Sequence, residues 1–306
     1  MSLYSKLAGK GKNGFGYGST AEEVTAGLDL TGKTVLVTGC NSGLGLETAR
    51  VLALRGAHVV GTARTEDKAR AALSGLTGGR TTGLACELSE PASVRACVAS
   101  AAKLGDRFDA IVCNAGIMAL PTREVLHGQE LQFLTNHVGH FLLVTGLLDR
   151  LADDGRVVVL SSTAHRNAPR EGICFDDLSL AKRYSPWASY GQSKFANLLF
   201  AKELARRLQG TRKTANAVHP GVIATNLARH MNPIARAAFS IAIPLVLKSV
   251  GEGAATQTYV AVNPGAATIT GKYWQDCNVA APRPDAEDAA LATRLWEVTE
   301  KIVAAL

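Results

Sequence analysis

Much is scarce in this 306-residue chain, and each scarcity closes a class of function. Aromatic residues make up only 6% of it and nowhere alternate with basic residues, so a base-stacking nucleic-acid surface is not expected. The net charge of +7 comes from 33 Lys and Arg against 26 Asp and Glu, but the basic residues are scattered and form no stripe. No apolar run approaches the roughly 20 residues that cross a bilayer. The greasiest insert, Phe239-Ser240-Ile241-Ala242-Ile243-Pro244-Leu245-Val246-Leu247, is short and holds a proline. A long apolar signal segment is missing at the N-terminus. The six cysteines, at 40, 86, 97, 113, 174 and 277, form no Cys-x-x-Cys pair. Several lie in or beside candidate strands, where small buried thiols are common, so a reducing, cytoplasmic setting is expected. No Gly-x-Ser-x-Gly elbow occurs, which argues against a nucleophilic serine hydrolase.

What is present reads as one large α/β domain. Hydrophobic residues are 47% and charged residues 19% of the chain, and β-branched runs alternate with helix-forming runs. The domain is expected over residues 31–306, with residues 1–30 as an N-terminal extension. In that extension Thr20-Ala21-Glu22-Glu23 has the form of a capping box opening a short helix that stops near Gly27. Residues 1–18 are expected to be mobile or draped over the core.

Lys33-Thr34-Val35-Leu36-Val37-Thr38 reads as a buried strand. It runs into Gly39-Cys40-Asn41-Ser42-Gly43-Leu44-Gly45 and then a helix pattern. Glycines permit the sharp strand-to-helix turn and close backbone approach to a pyrophosphate, and the helix N-terminus offers unpaired N–H groups to that anion. Far downstream, Tyr190 and Lys194 stand four apart in Ser189-Tyr190-Gly191-Gln192-Ser193-Lys194. On a helix they share one face, and a nearby ammonium favours the phenolate. That pairing predicts a depressed Tyr190 pKa and a proton donor usable near neutral pH.

The spacing Gly-x-x-x-Gly-x-Gly, together with Tyr190 and Lys194, resembles the short-chain dehydrogenase/reductase family. The likeness runs from about Gly32 to the C-terminus, with the motifs in the family's order. It implies a Rossmann fold, a doubly wound parallel sheet of about seven strands with helices on both faces. It also implies a dinucleotide over Gly39, Asn41, Ser42, Gly43, Leu44 and Gly45. The second strand, Ala57-His58-Val59-Val60-Gly61-Thr62, ends at Ala63-Arg64, with no carboxylate until Glu66. Arg64 at that tip suits a 2′-phosphate, so NADP(H) is expected over NAD(H). Leu84-Ala85-Cys86-Glu87-Leu88 stands where the family has an Asp-Leu pair that reads adenine, placing Glu87 and Leu88 there. A fourth strand, Asp109-Ala110-Ile111-Val112-Cys113, delivers Asn114-Ala115-Gly116, resembling the family's Asn-Asn-Ala-Gly element with Cys113 in place of the first Asn.

Gln129 to Leu148 reads as one long apolar helix that is weakened by Asn136 and Gly139. Such a breach of helix chemistry points to a local function. His137 and His140 have no third ligand at metal-site spacing, and no metal is expected. The resemblance makes Asn136, Ser162, Tyr190 and Lys194 the catalytic set. Ser162 is the second serine after the strand Gly155-Arg156-Val157-Val158-Val159-Leu160. Tyr190 and Lys194 would also touch the cofactor, with Lys194 on the nicotinamide ribose and Asn136 holding a water. After a sixth strand, Thr214-Ala215-Asn216-Ala217-Val218-His219, the segment Pro220, Gly221, Val222 and Thr225 would cup the nicotinamide carboxamide.

Within the family, Asn136-His137-Val138-Gly139-His140-Phe141 and Gly271-Lys272-Tyr273-Trp274-Gln275-Asp276-Cys277 look closest to the retinol dehydrogenase-like and WW-domain oxidoreductase-like branch. An apolar aldehyde, ketone or alcohol is therefore the expected substrate. The insert over 228–249 reads as a buried helix, a lid or a peripheral membrane contact. A monomer or homodimer is expected. The competing reading is a non-catalytic NADP(H)-sensing or scaffold protein, which would need the glycine loop but not the proton machinery.

Overall fold

The protein is seen in a computed structural model that describes residues 8–223 and 247–306. Its first half alternates β1 (Thr34–Thr38), α1 (Gly43–Leu54), β2 (His58–Ala63), α2 (Glu66–Leu73), β3 (Thr81–Ala85), α3 (Pro91–Lys103) and β4 (Phe108–Cys113). Strands β1 and β2 are buried along their whole length, as strands covered by helices on both faces must be. A two-stranded hairpin, β5 (Val125–Leu126) with β6 (Gln129–Glu130), precedes the composite helix α4 (131–147). The second half runs β7 (Leu151–Leu160), α5 (Pro186–Arg207), β8 (Thr214–His219), α6 (Val250–Val262), β9 (Tyr273–Gln275), β10 (Asn278–Ala280) and α7 (Ala289–Ala305).

These strands form an eight-stranded sheet in the order β10-β9-β8-β7-β4-β1-β2-β3. Seven strands are parallel, and the three-residue β10 pairs antiparallel on the edge of β9. One core lies under α3, α4, α5 and α7 and includes Leu36, Ile111, Phe133, Phe141, Phe195 and Trp296. The other lies under α1, α2 and α6 and includes Val35, Val37, Leu52, Val112, Tyr259 and Trp274. The chain leaves β1 toward β2 and β3, then crosses back to β4 on β1's other side. That reversal opens a crevice at the strands' C-terminal ends, where doubly wound folds take their ligands.

The single long helix expected over Gln129–Leu148 is not what forms. Gln129–Glu130 is strand, Leu131–Phe133 is α-helical, Leu134–Val138 is a π-turn, and only Gly139–Leu147 continues as α-helix. Glu130 caps the start, accepting from the Phe133 N–H at 2.9 Å. Gly139 has a steric reason: a Cβ there would lie 2.3 Å from the Leu88 carbonyl oxygen. The strand expected from Gly155 instead begins at Leu151, through an irregularity in its register with β4.

In the N-terminal segment, Thr20 and Glu23 exchange capping-box bonds over a single 3-10 turn, Glu23–Thr25. Residues before it lie on the far edge of the sheet: Asn13 donates to the Cys277 carbonyl at 2.7 Å and Phe15 packs edge-on against Tyr259. The insert over 228–249 falls outside the described residues except for 247–249. Its base is pinned by a parallel bridge between Ile223 and Lys248. No helix of the described residues is long and apolar enough to cross a membrane.

Candidate active site

The crevice is floored by the turn after β1. Gly39 has φ +68° and Gly43 φ +54°, both in the left-handed region open to glycine. A Cβ on Gly45 would lie 2.2 Å from the Gly39 carbonyl oxygen and 2.5 Å from Asn114 Nδ2, so this third glycine is required for loop and β4 to meet. Asn41, Ser42 and Gly43 are exposed, Leu44 is half-buried, and Ser42 starts α1 without capping it through its own side chain. The helix's first N–H groups thus face the crevice, where a pyrophosphate is best held.

Thr38 ties this turn to β4. Its Oγ1 accepts from the N–H of Asn114 and of Ala115, each at 2.9 Å. Asn114 Nδ2 donates to the Thr38 carbonyl at 2.8 Å, while its Oδ1 accepts from Gln257 of α6 at 3.1 Å. Gln257 also donates to Thr48 of α1 at 2.6 Å, which makes it a brace the sequence reading did not single out. Gly116 is exposed, and a Cβ there would lie 2.9 Å from Asn136 Oδ1 and 3.5 Å from Lys194 Nζ.

At the tip of β2, Arg64 is exposed and has no hydrogen-bond or ion-pair partner among the described residues. The nearest carboxylate in sequence, Glu66, is engaged by Arg70. Glu87 accepts from the Ser89 hydroxyl at 2.9 Å through Oε1, which turns that oxygen back onto its own loop. Leu88 is buried beneath Gly139 of α4.

The proton-handling residues meet on the other side. Asn136 sits in the π-turn, fully buried, and its side chain holds the backbone of Ile117 from both ends, at 2.8 and 2.9 Å, and Ser193 Oγ at 2.9 Å. π-turns are uncommon and cluster at functional sites. Ser162, at the end of β7, accepts from the Ala164 N–H at 3.1 Å, and its hydroxyl stands close enough to the Tyr190 phenol to favour the phenolate. Lys194 is buried on α5; its Nζ donates to the Leu160 carbonyl at 3.0 Å and lies 5.7 Å from the Tyr190 ring centroid.

The lowered Tyr190 pKa expected from Lys194 is not produced by the chain's own groups. Burial pushes the phenol up to about 12, and the Ser162 hydrogen bond opposes this. Burial likewise brings Lys194 down to about 8. The reason is geometric: the ammonium is committed to the Leu160 carbonyl and views the ring rather than the phenol oxygen. Both groups are thereby drawn toward their neutral forms.

Three buried histidines hold the backbone around these residues. His140 bonds the Asn136 carbonyl and Thr38. His165 Nδ1 donates to the Ser162 carbonyl at 2.5 Å, while its Nε2 accepts from the Arg283 N–H at 3.1 Å. His219 Nδ1 accepts from the Thr163 N–H at 3.3 Å. The sequence reading missed these supporting roles. His137, the other candidate metal ligand, bonds Thr299 of α7 at 2.9 Å. Among the described residues no group of three metal-ligating side chains comes together.

Beyond β8, Gly221 has φ +97°, and a Cβ on it would strike the Lys248 side chain at 2.4 Å. Pro220 is half-buried, Val222 is exposed, and the Val222 carbonyl accepts from the Lys248 N–H at 3.0 Å. Thr225, expected to complete this segment, lies outside the described residues. The structure therefore gathers Asn136, Ser162, Tyr190 and Lys194 at one end of the crevice and the glycine turn with Arg64 at the other.

Known proteins resemble this chain in sequence and fold. Residues 33–175 match the family described as short chain dehydrogenase. Short-chain dehydrogenase TIC 32 A, chloroplastic, of Brassica napus is 42% identical over the full length of both chains. Retinol dehydrogenase 14 of Mus musculus is 37% identical, covering 90% of this chain and 87% of its own. The chain belongs to the short-chain dehydrogenase/reductase family, on its retinol dehydrogenase-like branch. Among solved structures, a Burkholderia cenocepacia short chain dehydrogenase in complex with NADP superposes with a TM-score of 0.65 at 25% identity, covering 80% of this chain and 96% of that one.

Proposed function

We propose that this oxidoreductase uses NADP(H) to interconvert an apolar carbonyl compound and its alcohol. The observation that carries the reading is the pairing of one unpartnered cation, Arg64, with the gathered Asn136, Ser162, Tyr190 and Lys194. The cradle fits a dinucleotide: Gly39 and Gly45 leave no room for a Cβ, and Arg64 is free for a 2′-phosphate. Gly39, Asn41, Ser42, Gly43, Leu44 and Gly45 would hold the pyrophosphate side, and Asn114, Ala115 and Gly116 would form the wall. Glu87 and Leu88 would border the adenine, and Pro220, Gly221, Val222 and Thr225 the nicotinamide end.

When bound, the nicotinamide supplies or accepts the hydride at the substrate carbon. In reduction, the Tyr190 phenol gives its proton to the substrate oxygen as negative charge develops there. Ser162 hydrogen-bonds that oxygen and fixes it against the phenol. Lys194 contributes positive charge behind the ring and would reach the ribose hydroxyls. Asn136 anchors the Ile117 backbone and Ser193 beside Lys194 and would hold a water that links this ammonium to solvent. In the reverse direction Tyr190 is the base.

An apolar substrate is supported by the rim of the site. Trp187 is 47% exposed on the first turn of α5 with its ring edge-on to Tyr190, 6.3 Å between centroids, and Val222 is 42% exposed across from the sheet. Large apolar groups left in water beside polar chemistry mark a binding surface. For assembly we favour a monomer or homodimer: α7 covers much of the α4–α5 face, with Trp296 packed on Phe141 and Phe200. A cytoplasmic setting suits six free, buried thiols, although the name of the Brassica napus relative places that protein in the chloroplast.

The test is NADPH oxidation by the purified protein against carbonyls graded by apolar length, retinal included, with NADH in parallel. Turnover favouring NADPH and longer substrates is expected. NADPH binding without turnover of any carbonyl would favour the sensor reading, and turnover with NADH alone would overturn the cofactor assignment.

A further inference from the structure

His140 is wholly buried, and both of its ring nitrogens are engaged by groups that leave no freedom in how the proton is placed. Nδ1 lies 3.0 Å from the Asn136 carbonyl oxygen, which can only accept, so Nδ1 carries the hydrogen. In the neutral ring Nε2 is then an acceptor, and the group facing it at 2.9 Å is the Thr38 hydroxyl. Thr38 has one hydrogen to give. Its other acceptor, the Val112 carbonyl, is 3.5 Å away, so the hydroxyl points to His140. The lone pairs of Thr38 Oγ1 are taken by the Asn114 and Ala115 N–H groups, at 2.9 Å each. Donors and acceptors therefore run in one sense along an unbroken chain: Asn114 and Ala115 to Thr38, Thr38 to His140, His140 to Asn136.

We infer that His140 is a positioning residue that locks the π-turn carrying Asn136 to the loop that grips the dinucleotide. The inference rests on the NADP(H) reductase reading above. At one end of the chain stand the residues whose backbones wall the cofactor, and at the other the turn whose Asn136 anchors Ile117 and Ser193 beside Lys194. Burial and the nearby Lys194 charge bring the His140 pKa down to about 4, which keeps the ring in the neutral form the chain requires. An apolar residue of similar size would fill the space but strand a buried hydroxyl and a buried carbonyl.

Two substitutions cut the chain at different links. The amide of His140→Asn falls near the Nδ1 position and keeps a donor for the Asn136 carbonyl, but loses Thr38. That of His140→Gln falls near Nε2 and keeps an acceptor for Thr38, but releases Asn136. Both variants are expected to lose kcat/KM. His140→Asn should do so through an NADPH dissociation constant about tenfold weaker, read by direct fluorescence titration without turnover, and His140→Gln through a kcat about tenfold lower. Equal changes in both parameters for both variants, or a lower melting temperature with neither parameter moved, would overturn the assignment.

Should the variants fail to fold, the ¹⁵N shifts of the wild-type histidines decide the matter. His140 should be the Nδ1–H tautomer and stay neutral at pH 6. An Nε2–H tautomer or an imidazolium would overturn the inference. A wild type that binds no NADPH would defeat the reductase reading instead, and leave the nitrogen-shift result standing by itself.

Discussion

Reversing the charge at Arg64 tests the cofactor assignment most sharply, because the structure leaves this side chain nothing else to do. It is exposed at the tip of β2, without a partner among the described residues, and the neighbouring carboxylate of Glu66 is held by Arg70. A charge-assisted hydrogen bond to a phosphate contributes about 1.5–3 kcal/mol. Arg64→Asp removes that contact and sets a carboxylate against the phosphate, adding about 1 kcal/mol of repulsion at a solvated surface. The sum, about 2.5–4 kcal/mol, corresponds to roughly 10²- to 10³-fold weaker NADPH binding at about 1.4 kcal/mol per tenfold.

NADH carries no 2′-phosphate, and the new Asp can accept from its ribose hydroxyls, so its affinity should stay within about threefold or improve. Parallel titrations of both nucleotides with wild type and variant, at 50 and 300 mM salt, read this directly. The gap between variant and wild type for NADPH should narrow as salt rises, since the charges are exposed. Equal weakening for both nucleotides would refute the reasoning, since it would mean Arg64 supports the fold of the loop rather than a phosphate.

Tyr190→Phe should lower kcat by at least about 10²-fold, the range of a lost general acid, while NADPH titration changes little; substantial residual turnover would sink the proton-donor role. Gly45→Ala should weaken NADPH binding by at least about tenfold, because the new Cβ meets backbone, the Gly39 carbonyl at 2.2 Å, and the loop must move. Lys194→Met should make the protein more stable at pH 7 though inactive. The wild-type lysine has a folded pKa of about 8 against 10.5 unfolded, so between these values the unfolded chain holds the extra proton and wild-type stability rises with pH. Denaturant titrations at pH 7 and pH 10 should show that rise, up to about 3 kcal/mol, in the wild type and its absence in the variant; parallel curves would contradict it.

The parallel strands were legible because their residues are buried on both faces and read as short β-branched runs ending in glycine, asparagine or serine. The end of β7 was placed well, but not its start. Leu151–Asp154 carries two aspartates, and its pairing with β4 passes through a break in register. Strands β9 and β10 are three residues each, too short for any alternation to show. Asn136 and Gly139 marked a break in α4, but the reason for Gly139 was hidden, since the Leu88 carbonyl that excludes a Cβ there arrives from another loop. Tyr190 and Lys194 could be read as a pair on one helix face, whereas Asn136 and Ser162 rested on the resemblance to the family. The histidine supports were not legible, because His140, His165 and His219 reach partners 102, 118 and 56 residues away. Spacing along α5 likewise put Lys194 beside the Tyr190 ring but says nothing of the Leu160 carbonyl that the ammonium meets.

Those supports bear on how the enzyme should respond to pH. His140 and His219 are brought down to about 4 by burial, His137 to about 3, and burial lowers His165 as well. Lys194 adds to the lowering at His140, and Lys248 at His219. His137, His140 and His219 therefore keep one charge state between pH 5 and 7, so the backbone they hold keeps its hydrogen bonds throughout. Among the described residues the ionisable pair at the candidate site is Tyr190 with Lys194, in that range the phenol neutral and the ammonium still protonated. Carbonyl reduction should therefore run at a level kcat from pH 5 to about 7, then fall as Lys194 loses its proton near pH 8 and the charge behind the phenol disappears. A step near pH 6 that coincides with a change in the ¹⁵N shifts of His140 or His219 would show that a buried histidine ionises during turnover, and the rigid neutral framework argued from the hydrogen bonds would be wrong.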